Sequence, residues 1–202
     1  RDSSTSRGLG DVYKRQDCHT RTDGFFDITV HSENYTPSTI SGIQLSSEAH
    51  TLFFQHSGIN INLSGFLKGY ALESIRELLQ LYGIEDALVN MGNSSILALG
   101  HHPLATGWRI GFEQGFVSNK GEKQEVLLKN ECLTVSGNDS LERKHIIAPY
   151  SGKLIEGKWM VAVVTESGAV GEILSTAWFA ADTYQQKLLE MEFHPRLILK
   201  LC

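Results

Sequence analysis

Asn62-Leu63-Ser64-Gly65-Phe66-Leu67-Lys68-Gly69-Tyr70-Ala71-Leu72-Glu73 is the stretch whose reading decides the fold. Leading into it, Ile59–Leu63 is a short apolar run that reads as a strand. From its second half onward, Ala71, Leu72, Ile75, Leu78, Leu79 and Tyr82 recur at steps of three and four residues. That period predicts a helix from Gly69 with one apolar face, closed by Gly83. A helix start offers free N–H groups and the positive end of its dipole to an anion. Gly65 and Gly69 would let backbone approach a ligand closely, and Lys68 can place a cation at a phosphate. The same residues also make an ordinary strand–turn–helix connection with a solvated lysine, and the segment alone does not separate the two.

Working outward, Phe25–Val30 (FFDITV) reads as a strand, His31–Gly42 as a loop, and Gly42–Leu45 and Thr51–Gln55 as strands. Downstream, Ala87–Val89, Ser95–Leu99, Trp108–Phe112, Glu125–Lys129, Cys132–Val135, Lys144–Ile147, Met160–Thr165 and Arg196–Leu201 continue the β pattern. Val170–Ala181 and Tyr184–Met191 are helical in character. Strands interrupted by a few helices, without regular βαβ alternation, predict an α+β fold of mixed α/β layers and not a Rossmann fold.

The 202 residues are 41% hydrophobic and 20% charged, which is a globular composition. A net charge of −5 without a basic stripe argues against nucleic acid as a partner. Cys18, Cys132 and Cys202 form neither a CxxC pair nor a ligand cluster, so they read as isolated thiols. No apolar run is long enough to span a membrane.

Three further constellations could carry chemistry. Asn90-Met91-Gly92-Asn93-Ser94-Ser95 is a polar turn after a buried strand. Ser136-Gly137-Asn138-Asp139 is followed by His145-Ile146-Ile147-Ala148-Pro149. In Glu172-Ile173-Leu174-Ser175-Thr176, the outer two residues are four apart, so a helix points a carboxylate and a hydroxyl the same way. Hard cations such as Mg²⁺ take such oxygen ligands and leave room for phosphate oxygens. Taken singly, each has a bland reading: a loop, a satisfied histidine, a half-buried helix face.

Taken in order, these segments resemble the FAD:protein FMN transferase (ApbE) family from about Gly24 to the C-terminus. Asp23–Val30 resembles that family's GxFDITV strand, Asn62–Glu73 its DLGGIAKGYAVD segment and Asn90–Asn93 its NxGG turn. Ser136-Gly137 and His145–Gly152 resemble its SG and HIIDPxTG segments, and Gly171–Ala177 its ADALSTA helix. The resemblance implies an ApbE-like, T-fold-like domain. It also implies transfer of FMN from FAD to a Ser or Thr hydroxyl of an acceptor flavoprotein, with release of AMP. Glu172 and Thr176 would ligate Mg²⁺ by side-chain oxygens and Gly65 by its carbonyl. Asn62 and Lys68 would face FAD, as would Gly24, Phe25, Phe26 and Ile146. His145, and Lys68 beside the phosphates, would be the catalytic candidates.

Departures from the family pattern are specific. Asn62 stands where the family has Asp, Glu172 where it has the metal-binding Asp, Ala148 where HIIDP has Asp, and Asn93 where NxGG has its second Gly. The stretch between Val30 and Asn62 lacks the family's PLxxxWGF region, and the family's N-terminal flavin-binding segment is missing. Asn62 and Ala148 imply one alternative, a non-catalytic FAD-binding relative, and the resemblance implies another, a pyrophosphatase that splits FAD into FMN and AMP, as some relatives do. Relatives usually act in the periplasm or cell envelope, so a membrane would be met only through an N-terminal anchor upstream of this sequence.

Asp11-Val12-Tyr13-Lys14-Arg15-Gln16 matches one reading frame of a transposon-type sequencing adapter. Residues 1–16 therefore read as a non-native tail, with residues 17–202 as a single ApbE-like domain. A genuine polar tail is the other reading.

Overall fold

The computed structural model describes residues 17–46, 48–112, 125–138 and 145–201, and these fall into two compact units. The reading of residues 1–16 as a non-native tail lies outside the described residues, as do Asp139 and Lys144.

The first unit comprises the chain up to Leu63 together with Ile147–Leu154. Residues 17–21 are helical, and two hairpins follow: β1 (Ile43–Ser46) with β2 (Thr51–Phe54), and β8 (Ile147–Ala148) with β9 (Lys153–Leu154). Two expected strands are absent here. Phe25–Val30 is a series of turns, although Phe26, Ile28 and Thr29 are all buried. The cause is local: buried Asp27 Oδ1 accepts from the Thr29 N–H at 2.7 Å and from the Thr29 hydroxyl at 2.6 Å. Its Oδ2 accepts from Tyr35 at 2.9 Å. Such side-chain-to-backbone bonds offer the chain an alternative to a β ladder. Ile59–Leu63 is likewise irregular, and its Asn62 N–H donates to the Ile28 carbonyl at 2.8 Å.

The second unit, Ser64–Ile146 with Ile155–Cys202, is built on a five-stranded antiparallel sheet. Its strands are β3 (Ala87–Met91), β4 (Ser95–Leu99), β7 (Glu131–Asn138), β10 (Trp159–Thr165) and β11 (Leu197–Leu201), in spatial order β11-β10-β7-β4-β3. Period-2 alternation sorts the side chains to two faces. One face brings Ile96, Ala98, Leu133, Ala162, Val164 and Leu201 together with Val126 and Leu128 of the hairpin formed by β5 (Trp108–Gly111) and β6 (Glu125–Leu128). On the opposite face Leu97, Leu99 and Cys132 pack on Leu72 of helix α1 (Ser64–Leu81). Full burial of one such aliphatic side chain stabilises by about 1.5–3 kcal/mol.

Helix α1 starts at Ser64, a full turn before the expected Gly69, and Gly83 follows its end with φ +70°. Helix α2 (Gly168–Ala180) covers β7 and β10, and α3 (Thr183–Phe193) packs on α2. Both begin with a side-chain cap: Ser167 accepts from the Val170 N–H, and Asp182 from those of Tyr184 and Gln185. The expectation of an α+β fold that is not a Rossmann sheet holds, since every strand pair in the sheet is antiparallel.

Candidate functional site

The register of the sheet creates a polar patch under α2. Ser95 pairs with Thr134 across β4 and β7, and Ser136 follows Thr134 two residues on, so all three share the helix-covered face. Above them, α2 is apolar almost throughout, with Glu172, Ser175 and Thr176 as its polar interruption. The Ser136 hydroxyl lies 2.7 Å from Ser175 Oγ and 3.1 Å from Thr176 Oγ1. Ser95, fully buried, donates its hydroxyl proton to Glu172 Oε1. Gly171 is required by close approach, because a Cβ there would fall 2.7 Å from the hydroxyl oxygens of both Thr134 and Thr165.

Helix α1 meets α2 backbone to backbone. A Cβ on Gly69 would lie 2.1 Å from the Gly168 carbonyl oxygen. The close approach that Gly69 permits is thus occupied by another helix rather than by a ligand, which corrects the expectation for that residue. One turn further on, Glu73 accepts from the Ser167 hydroxyl and from the Ala169 N–H at 3.3 Å. Arg76 then donates to the Glu166 carbonyl at 2.7 Å. This docking fixes the first turn of α1 relative to α2, and with it Gly65 and Lys68.

Lys68 is exposed at its position on α1, and its ammonium donates to Ser94 Oγ at 2.6 Å. Ser94 Oγ is 3.4 Å from Ser95 Oγ. Lys68, Ser94, Ser95 and Glu172 therefore form one connected polar chain from surface to interior. Burial pushes the Glu172 carboxyl above its ordinary range, while the Ser95 hydrogen bond and the Lys68 charge pull the other way.

Of the residues expected at the site, the second unit thus brings together Lys68 with Glu172, and Thr176 with the Ser136–Ser175 pair. Gly65 is half-buried in the first turn of α1, where a carbonyl accepts from the amide four residues on and keeps a second lone pair. His145 is exposed at the edge of the described chain. Ile146 is buried and its carbonyl accepts from the Ile155 N–H at 2.9 Å. Asn62, Gly24, Phe25 and Phe26 belong to the first unit. There Gly24 takes φ +79°, Phe25 meets the Tyr150 ring edge-on at 6.0 Å, and Phe26 is in the core. Asn90 Oδ1 accepts from the Asn93 N–H at 2.9 Å, closing the β3–β4 turn. Among the described residues no three His, Cys, Asp or Glu side chains cluster as metal ligands. The expected set holds one carboxylate, with hydroxyl and carbonyl oxygens as the rest. A separate groove of about 610 Å³, lined by Trp178, Glu190, His194, Pro195, Arg196, Leu197, Ile198 and Lys200, contains none of these residues.

Sequence reasoning singled out the segments holding Ser94, Ser95, Ser136 and Ser175 but gave none of these residues a role. The signal was faint: Ser95 opens the otherwise apolar β4, and Ser136 follows Thr134 two residues on in β7.

The sequence profile of the ApbE family matches residues 11–196. The chain belongs to the ApbE family. A FAD:protein FMN transferase of Klebsiella pneumoniae (strain 342) is 25% identical over 137 residues, covering 64% of this chain and 41% of that protein. One from Rhodobacter capsulatus is 26% identical over 174 residues, covering 82% of this chain and 31% of that protein. The chain therefore spans less than half the length of these curated ApbE relatives. Its fold is that of solved ApbE structures. The flavin transferase ApbE of Vibrio cholerae superposes with a TM-score of 0.77 at 19% identity, over 98% of this chain and 71% of that one. The ApbE protein of Thermotoga maritima gives 0.79 at 20% identity, over 100% of this chain and 74% of that one.

Proposed function

We propose that this ApbE-family chain carries the flavin-transfer part of a FAD:protein FMN transferase, which moves FMN from FAD to a Ser or Thr hydroxyl of an acceptor flavoprotein and releases AMP. The observation that carries the reading is buried Glu172, tied through Ser95 and Ser94 to Lys68 and followed one turn later on α2 by Thr176. In that reaction the acceptor oxygen bonds to the phosphorus of the FMN half. The phosphoanhydride breaks, AMP leaves with the bonding electrons, and the hydroxyl proton passes to a base. Exposed His145 is the residue we assign to that proton, since a neutral imidazole has a ring nitrogen that can accept it. Lys68 would hold the diphosphate, a placement suited to a transfer that depends on positioning and charge stabilisation.

The residues present fit Mg²⁺. Glu172 is a carboxylate held 94% out of water, with the Ser95 hydroxyl on its Oε1, and burial disfavours its charge unless a cation is near. Glu172 and Thr176 would hold the ion with the Gly65 carbonyl, and the ion would supply charge neutralisation at the diphosphate. The periplasm or cell envelope is the location we propose with this activity.

The test is to incubate the chain with FAD, Mg²⁺ and an acceptor flavoprotein, then look for flavin fluorescence on the acceptor after denaturing electrophoresis. A labelled acceptor is expected. An unlabelled one, beside a working control transferase, would overturn the reading. Asn62 and Ala148 favour a second reading, a FAD-binding relative without transfer, because each replaces a family carboxylate. That reading expects FAD binding without AMP release, and steady AMP formation removes it. AMP and free FMN without acceptor labelling would instead identify a FAD pyrophosphatase.

A further inference from the structure

The turn Asn90–Ser95 was singled out as polar, and the proposed reaction leaves Ser94 and Ser95 without a role. Their geometry gives them one. An ammonium has no acceptor, and an ionised carboxylate has no donor. With Lys68 at one end and Glu172 at the other, the two hydroxyl protons between them have a single consistent arrangement. Lys68 donates to Ser94 at 2.6 Å, Ser94 donates to Ser95 across 3.4 Å, and Ser95 donates to Glu172 Oε1. Ser95 is 0% exposed, so water does not compete for its hydroxyl.

We propose that Ser94 and Ser95 are positioning residues: a one-way hydrogen-bond relay that orients Glu172 toward its cation and couples it to Lys68. The relay holds Oε1 and leaves Oε2 to face a hard cation. Lys68 has three N–H donors, so it can keep Ser94 while meeting a phosphate oxygen. Chains of this kind polarise one another in a low-dielectric interior, so the ends feel each other beyond their direct attraction. Carboxylates that bind metals are commonly held by such outer partners, whose loss weakens metal affinity about 10–100-fold. The inference rests on the reading of Glu172 as a metal ligand.

The experiment titrates the full chain with Mn²⁺, used in place of Mg²⁺, and follows free Mn²⁺ by electron paramagnetic resonance, so it needs no activity. The variants are Glu172→Ala, Ser95→Ala, Ser94→Ala, Ser94→Thr, Lys68→Met and the Ser94→Ala/Lys68→Met double variant. Wild type is expected to bind, and Glu172→Ala to lose binding. Ser95→Ala and Ser94→Ala should each weaken binding about tenfold or more, with Ser94→Thr restored toward wild type. Lys68→Met should cost less in the Ser94→Ala background than alone, the signature of residues acting through one another. Ser94 is only half-buried, so its variants carry the test if Ser95→Ala does not fold. Wild-type affinity in Ser94→Ala, or additive losses in the double variant, would overturn the relay while leaving Glu172 as ligand. Binding unchanged in Glu172→Ala, or absent from wild type, would overturn the ligand reading and the relay with it.

Discussion

Gly69 and Gly168 bring two helix backbones into contact, so that a Cβ on Gly69 would sit 2.1 Å from the Gly168 carbonyl oxygen. Helix propensity alone would make Gly69→Ala stabilising by about 1 kcal/mol, since Ala is the better helix former. The contact predicts the opposite sign. A methyl group forced between two backbones costs roughly 1–3 kcal/mol or more. Gly69→Ala is therefore expected to lower the thermal midpoint by several degrees, and because Lys68 is the preceding residue, it should also weaken FAD binding. A raised midpoint would show that the helices separate freely.

Glu73 and Ser167 join the same two helices. Ser167 caps α2 by accepting from the Val170 N–H at 3.2 Å and donates its own proton to Glu73. Ser167→Ala removes both, with an expected loss of about 1–2 kcal/mol. Ser167→Asp keeps a capping oxygen but sets two carboxylates together, so it should be less stable than wild type. Urea unfolding of the two variants separates the cap from the pair.

Cys132 gives a pH dependence. It is fully buried under α1, and burial pushes its thiol up to about 11, although the Arg76 guanidinium opposes the shift. The folded state therefore keeps a proton that the unfolded state releases above about 9. The stability this proton contributes is complete below that pH and is lost as pH rises toward 11. Cys132→Ala should remove about 1–2 kcal/mol of that alkaline decline, measured as the difference in urea midpoint between pH 8 and pH 10.5. Parallel curves for the two proteins would refute it.

What the sequence made legible follows from what each signal encodes. The strands of the second unit and its three helices lie within a few residues of expectation, because alternation and the 3.6-residue period are local records of burial. Phe25–Val30 forms turns where its pattern predicts a strand, because a β-branched apolar run records burial without recording that Asp27 ties the backbone into turns. The periodicity predicts a start for α1 at Gly69, one turn late, because Ser64–Lys68 carries only Phe66 and Leu67 as apolar residues, and Leu67 is exposed. The expected site residues came from the order of motifs, but the partners of the serines that join them did not. Ser95 reaches Glu172 across 77 positions and Ser136 reaches Ser175 across 39, and each pair forms only when α2 packs on the face that the register of β4 and β7 builds.

Glu172 and Thr176 differ in what they can give a cation. Glu172 offers a carboxylate already desolvated by the fold, whose charge a bound cation would favour. Thr176 offers a neutral hydroxyl shared with Ser136 at 3.1 Å. Replacing Glu172 with Ala removes charge and ligand together, so the Mg²⁺ concentration needed for half-maximal FMN transfer should rise by more than the roughly 10–100-fold of an outer-partner loss. Thr176→Val keeps the shape, removes the oxygen and should raise it less, while Thr176→Ser should stay near wild type. The order Glu172→Ala above Thr176→Val above Thr176→Ser is the expected outcome of transfer assays across a Mg²⁺ series. A Mg²⁺ dependence like that of wild type in both Glu172→Ala and Thr176→Val would refute the assignment of these side chains to the metal.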